Sequence, residues 1–412
     1  MKIFAFEGFR YTGLVGDPGS MSAPPFDQIS DALRDELHAR SPFQYAHFTR
    51  PLEVDGASPY ESAAAVHASW VEAGAVAREE TPCLYPYLVV ASSGSRRASL
   101  CCVVAVGTTT SSDLRPHELT VEKPLADRLA LLRTTQIDPE PVMIVVEDDG
   151  ALEEMLREDV SGQAPLVKTT DEEGNRHALY RITAAARIAV YRDLLSSRTA
   201  TIADGHHRSK TAQLYAQEVG APEGVPASTK MAVLISSSSE ALTIDPIHRA
   251  IRGALDEEAM AGCTVARALF EGGNGAALAA AVARSQGPAI GVWLRPGDAQ
   301  VWRLDESAAP TTTPRKARSL SAVLLHHHLL PAAGVGLEAA VDGTILYRSD
   351  PDELYRMIAE GQVASGFWLP PMAPQKFAEA VSEGDVLPPK STRFMPKLIS
   401  GMVWAPHDGR LL

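Results

Sequence analysis

The run Asp204-Gly205-His206-His207-Arg208 puts a carboxylate, a glycine, two imidazoles and a guanidinium in consecutive positions. The apolar residues Ile202 and Ala203 precede it, and Ser209-Lys210-Thr211-Ala212 follows with helical character. A strand end that breaks on glycine lets the backbone approach a ligand closely. The helix that reopens, predicted to begin around His207, presents backbone N–H groups to a phosphate. Asp204 can hold a divalent metal or orient a hydroxyl, His206 and His207 can donate to phosphate oxygens, and Arg208 can grip them in bidentate fashion. That is phosphoryl-handling chemistry. A strand-to-helix turn with a merely solvated polar tip uses the same residue types, so the four side chains alone leave both readings open. Zinc is disfavoured, because the two histidines are consecutive and neither Cys-x-x-Cys nor His-Glu-x-x-His accompanies them.

The elements that must position this run alternate. Ser30 caps a helix predicted to reach Arg40, and a second helix is predicted from Tyr60 to Gly74 with Ala64, Val66 and Trp70 on its apolar side. Leu84 to Ala91 and Leu100 to Val106 read as strands of a hairpin, Val142 to Val146 as a strand, and Leu166 to Thr170 with Ala178 to Thr183 as an edge hairpin. A helix from Ala184 to Leu195 leads into Thr201-Ile202 and the glycine break. Strands alternating with helices predict a layered α/β (mixed α+β) fold. After Met231 to Ile235 the texture changes. Residues 252 to 287, rich in Ala and Gly, read as two helices, followed by strands at 289–294 and 300–304. The expected division is a catalytic region at 1–250 and a C-terminal α/β domain at 251–412. That domain carries a Pro-rich basic loop with Lys390, Arg393 and Lys397, and a last strand from Leu398 to Trp404.

Composition bounds the functions. The chain has 412 residues, more than one core ordinarily holds, and a formal net charge of −13. That balance argues against a nucleic-acid partner, whose binders show a clustered basic excess. No apolar stretch is long enough to span a bilayer, and acid and polar residues follow Met1 to Phe6 where a signal peptide has its apolar core, so a cytoplasmic protein is expected. Cys83, Cys101, Cys102 and Cys263 lack framework spacing and read as reduced, buried thiols. Oligomeric state is not legible.

Several segments taken in order resemble the bacterial and archaeal DUF1015 family: Ser22 to Ser30, His47-Phe48-Thr49-Arg50-Pro51, His117-Glu118-Leu119-Thr120, Ile202 to Arg208, and Lys390 to Lys397. The Asp-Gly-His-His-Arg segment is also similar to the nucleotide-binding motif of free-serine kinases on the ParB/sulfiredoxin scaffold, where a Gly-x-x-Arg turn at a helix start holds nucleotide phosphates. The resemblance implies a ParB/sulfiredoxin-like nucleotide-binding core and a second α/β domain. It further implies a kinase that moves a phosphoryl group from ATP or ADP, with Mg2+, to the hydroxyl of free L-serine or a similar small hydroxy amino acid. Glu118 then matches the glutamate that acts as base, with Asp204 and His206 beside the reacting groups and Asp204 on the metal. Gly205, His206, His207, Arg208, Lys390 and Lys397 fall to the nucleotide. Asp27, His47, Arg50, His117, Thr120, His248 and Arg249 fall to the acceptor cleft, with Lys123 and Arg128 as further phosphate contacts.

Each assignment has a structural counterpart. Asp27 can serve instead as a cap for the next helix, and the Pro-rich loop can simply dock the last strand. The family commonly has an aromatic residue and then an acid after the arginine; this chain has Ser209 and Lys210, and Arg393 stands where an aromatic is common, which keeps an acceptor other than serine open. A non-catalytic nucleotide-binding regulator on a ParB-like scaffold is the alternative function. Sulfiredoxin-like chemistry needs a reactive cysteine beside the turn, where His206 and His207 stand.

Overall fold

The β-branched run Val142-Met143-Ile144-Val145-Val146 has no polar alternation, as expected of a strand covered on both faces. In the computed structural model all five residues are buried at the heart of a nine-stranded sheet. The structure describes residues 1–106, 114–115, 122–253, 255–295, 297–313, 315–336, 339, 342–382 and 386–412. These fall into two compact units. One holds Met1–Arg115, the described part of Thr120–Leu242, and Pro396–Leu412; the other holds Thr243–Met395. The expected boundary at residue 250 therefore moves, and the chain's last segment returns to the first unit. The physical cause is pairing: Ala23 bridges Ser400, Phe9 bridges Trp404, and Phe6 bridges Leu411.

The strands of the first sheet are β1 (Ile3–Phe4), β2 (Tyr85–Val90), β3 (Arg96–Ala105), β4 (Leu114–Arg115), β5 (Val142–Val146), β6 (Val167–Thr170), β7 (Arg176–Leu179), β8 (Ala200–Asp204) and β9 (Thr229–Ser236). Their order is β4-β8-β5-β9-β3-β2-β7-β6, with β1 added on β3. β8 with β4 and β9 with β5 run parallel and the remaining pairs antiparallel, so the sheet is mixed. One face, carrying Leu100, Cys102, Val104, Ile144, Ala232 and Leu234, packs on Leu152 and Leu156 of the helix Ala151–Val160 and on Ile188, Tyr191 and Leu195 of the helix Ala185–Ser196. Period-2 alternation carries Met143, Val233 and Cys101 to the opposite face, and a register shift between Ile202 and Asp204 pairs Asp204 with Met143.

Helix α1 (Asp31–Arg40) has the expected cap, the Ser30 hydroxyl accepting from Leu33 N–H. Helix α2 (Ala46–Thr49) carries His47, and helix α3 (Pro59–Glu72) buries Trp70 as expected, with Ala63 and His67 in place of Ala64 and Val66. Helix α4 (Glu122–Thr135) precedes β5, and helix α5 (His206–Glu218) follows β8. The segment 398–404 is no strand. Gly401 stands at φ +89, and a Cβ there would lie 2.7 Å from the Tyr45 ring, so the run bends and forms only single bridges.

The second unit is built on an antiparallel six-stranded sheet: β10 (His248–Ile251), β11 (Thr264–Leu269), β12 (Ala289–Trp293), β13 (Ala299–Leu304), β14 (Ile345–Arg348) and β15 (Ser365–Trp368), in the order β11-β13-β12-β15-β10-β14. Where two helices were expected, β11 lies between the short helix Glu257–Ala261 and the helix Gly275–Ala283. It is an exposed edge strand, so no buried face imposes alternation on its sequence. Both units mix helix and sheet. All four cysteines are free and buried.

Candidate active site

Strand β8 ends at Asp204, and Gly205 caps α5 with φ +91, a left-handed conformation that favours glycine. A Cβ at Gly205 would lie 2.9 Å from Val142 Cγ1 and 3.1 Å from Arg208 Cζ and Nε. The missing side chain is thus what lets the Arg208 guanidinium fold back under the turn. The first intrahelical bond, Ser209 N–H to Gly205 O, is 2.9 Å long. The amides of residues 206–208 therefore lie in the first helical turn, where the positive end of the helix dipole favours an anion. The helix starts one residue earlier than the sequence suggests.

Asp204 is the electrostatic centre. Lys397 Nζ lies 3.2 Å from its Oδ2 and Arg208 Nη2 lies 3.5 Å from the same oxygen. Burial pushes the Asp204 carboxyl upward, but Lys397 and Arg208, with His206, outweigh it and hold the group at about 2, below its ordinary 3.8. It is a permanent anion at working pH. Arg208 is itself buried, and its Nη1 donates to Pro141 O. One arm of the expected bidentate fork is therefore anchored to the protein's own backbone.

Behind Arg208 lies a group of charges of which the sequence pointed only to Arg128. Glu140 Oε1 accepts from Phe26 N–H at 2.9 Å and from Ser400 Oγ at 2.8 Å. One buried carboxylate thus ties the N-terminal Pro-Pro-Phe segment and the C-terminal segment to the sheet. Burial raises the Glu140 pKa, and Arg208 and Arg128 oppose that rise. Lys230 is bonded to Asp138 and donates to Glu140 O at 2.6 Å, while Asp138 Oδ2 accepts from Met231 N–H at 2.6 Å. Arg128 donates to Thr49 O at 2.9 Å and stacks over the Phe26 ring at 4.1 Å. A cavity of about 30 Å3 separates these groups from α5 and is lined by Arg128, Asp138, Glu140, Arg208, Thr211 and Lys230 among others. In sequence Asp138, Glu140 and Lys230 sit in or beside apolar runs with no motif around them; only Pro139-Glu140-Pro141, an acid between two prolines before a buried strand, was a visible signal.

A model of the family described as "Protein of unknown function (DUF1015)" matches residues 3–314. The chain belongs to the DUF1015 family. No curated protein matches it. Among solved structures, a free serine kinase in complex with AMP is 16% identical, with a TM-score of 0.37 over 71% of this chain and 86% of that chain. A conserved hypothetical protein from Pyrococcus furiosus is 15% identical, with a TM-score of 0.36 over 72% and 93%. SbnI with a C-terminal truncation, from Staphylococcus aureus, is 10% identical, with a TM-score of 0.39 over 73% and 85%.

The remaining predicted residues of this DUF1015 protein are distributed as follows. Asp27 sits in the turn Phe26–Gln28, and its charge acts on both Arg208 and Glu140; the cap of α1 is Ser30. His47 lies on α2, stacked on His38 at 4.0 Å with its Nε2 3.1 Å from Ser41 O, and Arg50 pairs with Asp31 at 3.1 Å. Those two contacts engage both side chains within the α1–α2 region. His248 and Arg249 belong to the second unit and are buried in it. His248 Nδ1 accepts from Leu369 N–H at 3.1 Å; Arg249 donates to His326 Nε2 at 3.1 Å and to Lys390 O at 2.9 Å. Lys390 is in that unit, whereas Lys397 is in the first. His117, Glu118 and Thr120 lie outside the described residues. No helix among the described residues is long and apolar enough to cross a membrane.

Proposed function

We propose that this DUF1015 protein is a kinase that transfers a phosphoryl group from ATP or ADP to the hydroxyl of free L-serine or a related small hydroxy amino acid. The observation that carries the reading is Asp204, held ionised between Lys397 and Arg208 at the glycine-capped start of α5. Phosphoryl transfer needs charge neutralised on the moving group and a carboxylate that accepts the hydroxyl proton. The helix start, Lys397, His206 and His207 supply the first, and Arg208 braces the turn from below. Glu118, in the His-Glu-Leu-Thr segment of the DUF1015 resemblance, matches by motif order the glutamate base of free-serine kinases and supplies the second.

The donor set bears on Mg2+. Among the described residues no group of three His, Cys, Asp or Glu could hold a metal ion. Asp204 is a single carboxylate, which fits an ion that arrives on nucleotide phosphates and keeps water in its remaining positions. When bound there, Mg2+ would offset charge on the phosphates, and Asp204 would hold it from the protein side.

The test is Glu118→Gln assayed in two ways. It should keep ADP binding by calorimetry and lose about two or more powers of ten in turnover with the acceptor. Full activity in the variant contradicts the assignment of the base.

A further inference from the structure

The first unit carries a half-open cleft of about 570 Å3 whose walls include the Ser22-Ala23-Pro24-Pro25 segment, α1, the β6–β7 turn and Lys397 to Ile399. We infer that it receives the nucleoside end of the phosphoryl donor, its base bearing an exocyclic amino group. The inference rests on the phosphoryl-transfer reading and names where the rest of the donor goes.

Position is the first argument. Lys397 lines the cleft, and its Nζ is 3.2 Å from Asp204, so the inner end of the cleft adjoins the candidate phosphate turn. Size is the second. The volume falls among those of small-molecule and cofactor pockets, roughly 300–1,000 Å3. That is several times what a free hydroxy amino acid fills.

Lining chemistry is the third. Pro24, Pro25, Leu33, Leu37, Leu398 and Ile399 supply apolar wall suited to a flat ring. Gln28, Ser41 and Thr169 add neutral donors and acceptors, as a ribose requires. The charged lining comprises Lys397 beside Asp204 and, apart from it in sequence, Asp17 and the turn Asp171-Glu172-Glu173, where Arg40 lies 3.5 Å from Glu172 and leaves the turn with a net negative charge. Phosphates are favoured at the lysine and repelled at the turn. A neutral base with N–H donors matches the acidic turn.

The walls are preformed, which lowers the ordering cost of binding. A Cβ on Gly19 would lie 2.1 Å from Lys168 O, so only glycine lets the N-terminal segment press against β6. Gln44 Nε2 donates to Ser22 O at 2.9 Å, and Ala23 and Ser400 exchange backbone bonds of 3.0 and 2.8 Å. Asp171 is fixed by Asn175 N–H and Nδ2, each at 2.8 Å, and by His177 Nε2 at 3.0 Å.

Calorimetry on the full chain with ADP, pyrophosphate and L-serine tests the assignment. ADP should bind at least about tenfold more tightly than pyrophosphate. Leu33→Trp, at a half-buried position in the cleft lining, should remove that advantage and leave pyrophosphate binding unchanged; Ile399→Trp, also half-buried in the lining, serves the same purpose where Leu33→Trp does not fold. ADP and pyrophosphate binding alike in the wild type, or ADP binding unmoved by a folded variant, overturns the cleft assignment while the phosphate turn stands. Loss of L-serine binding with ADP binding retained overturns it in favour of the acceptor. Failure of both ADP and pyrophosphate to bind the wild type sinks the phosphoryl-transfer reading, and the cleft assignment with it.

Discussion

At the scale of single residues the candidate site is a balance of half-buried and buried charges. Lys397 and Arg208 keep Asp204 ionised against the pull of burial. Removing one cation leaves an anion short of a partner, which costs more than the contact itself is worth. Lys397→Met should therefore weaken nucleotide binding about tenfold or more, the scale of one charge-assisted hydrogen bond. A titration with ADP checks it, and unchanged affinity would remove Lys397 from the site. The Asp204-to-Arg208 run was legible because glycine, carboxylate and helix start are contiguous in sequence. Glu140 was not, because its partners Phe26, Ser400 and Arg208 lie far off in the chain and meet only on folding. Lys397 was singled out as a basic residue on a Pro-rich loop; its contact with Asp204 depends on the last segment returning to the first sheet.

At the scale of elements, the glycine cap decides where α5 points its first turn. Gly205→Ala combines a positive φ with contacts of 2.9 Å to Val142 and 3.1 Å to Arg208. The expected destabilisation is about 1–3 kcal/mol, read by urea denaturation, with nucleotide affinity lowered because Arg208 must shift. A variant as stable as the wild type would show that the turn does not need its left-handed residue. The strands of the first sheet were legible where burial on both faces gave long β-branched runs, as in Val142 to Val146. Two elements were not. The edge strand Thr264–Leu269 has no buried face to impose alternation, so its alanines read as helix. The apolar run after Lys397 looked like a strand, but Ser400 is spent on Glu140 and Gly401 turns the backbone against Tyr45. Tertiary partners, invisible locally, overrode local pattern in both.

At the scale of the molecule, each unit buries neutral imidazoles. Burial holds His67 of the first unit at about 4 and, in the second, with Arg249 adding to the effect, His248 at about 4 and His326 at about 3, against an ordinary 6.5. A histidine whose folded pKa is depressed takes its proton first in the unfolded chain. Its contribution is full above 6.5 and is lost as pH falls from there toward the folded value. Thermal melts should therefore show Tm falling by several degrees between about pH 6.5 and 4.5. A flat Tm across that interval would contradict the burial of these rings. The layering of helices on sheet was foreseen from alternating strands and helices; the return of Pro396–Leu412 was not, since nothing local marks a segment for a sheet that begins at Ile3. The proposed function turns on the glycine-capped turn, and a screen for phosphoryl transfer tests that most directly. Purified full-length protein is incubated with Mg2+, ATP or ADP, and a panel of free hydroxy amino acids, and the products are read by mass spectrometry. The account predicts one acceptor, L-serine or a close relative, heavier by one phosphoryl group, and no such product from Asp204→Asn. Tight nucleotide binding with no phosphorylated acceptor would contradict it and make the turn a nucleotide sensor.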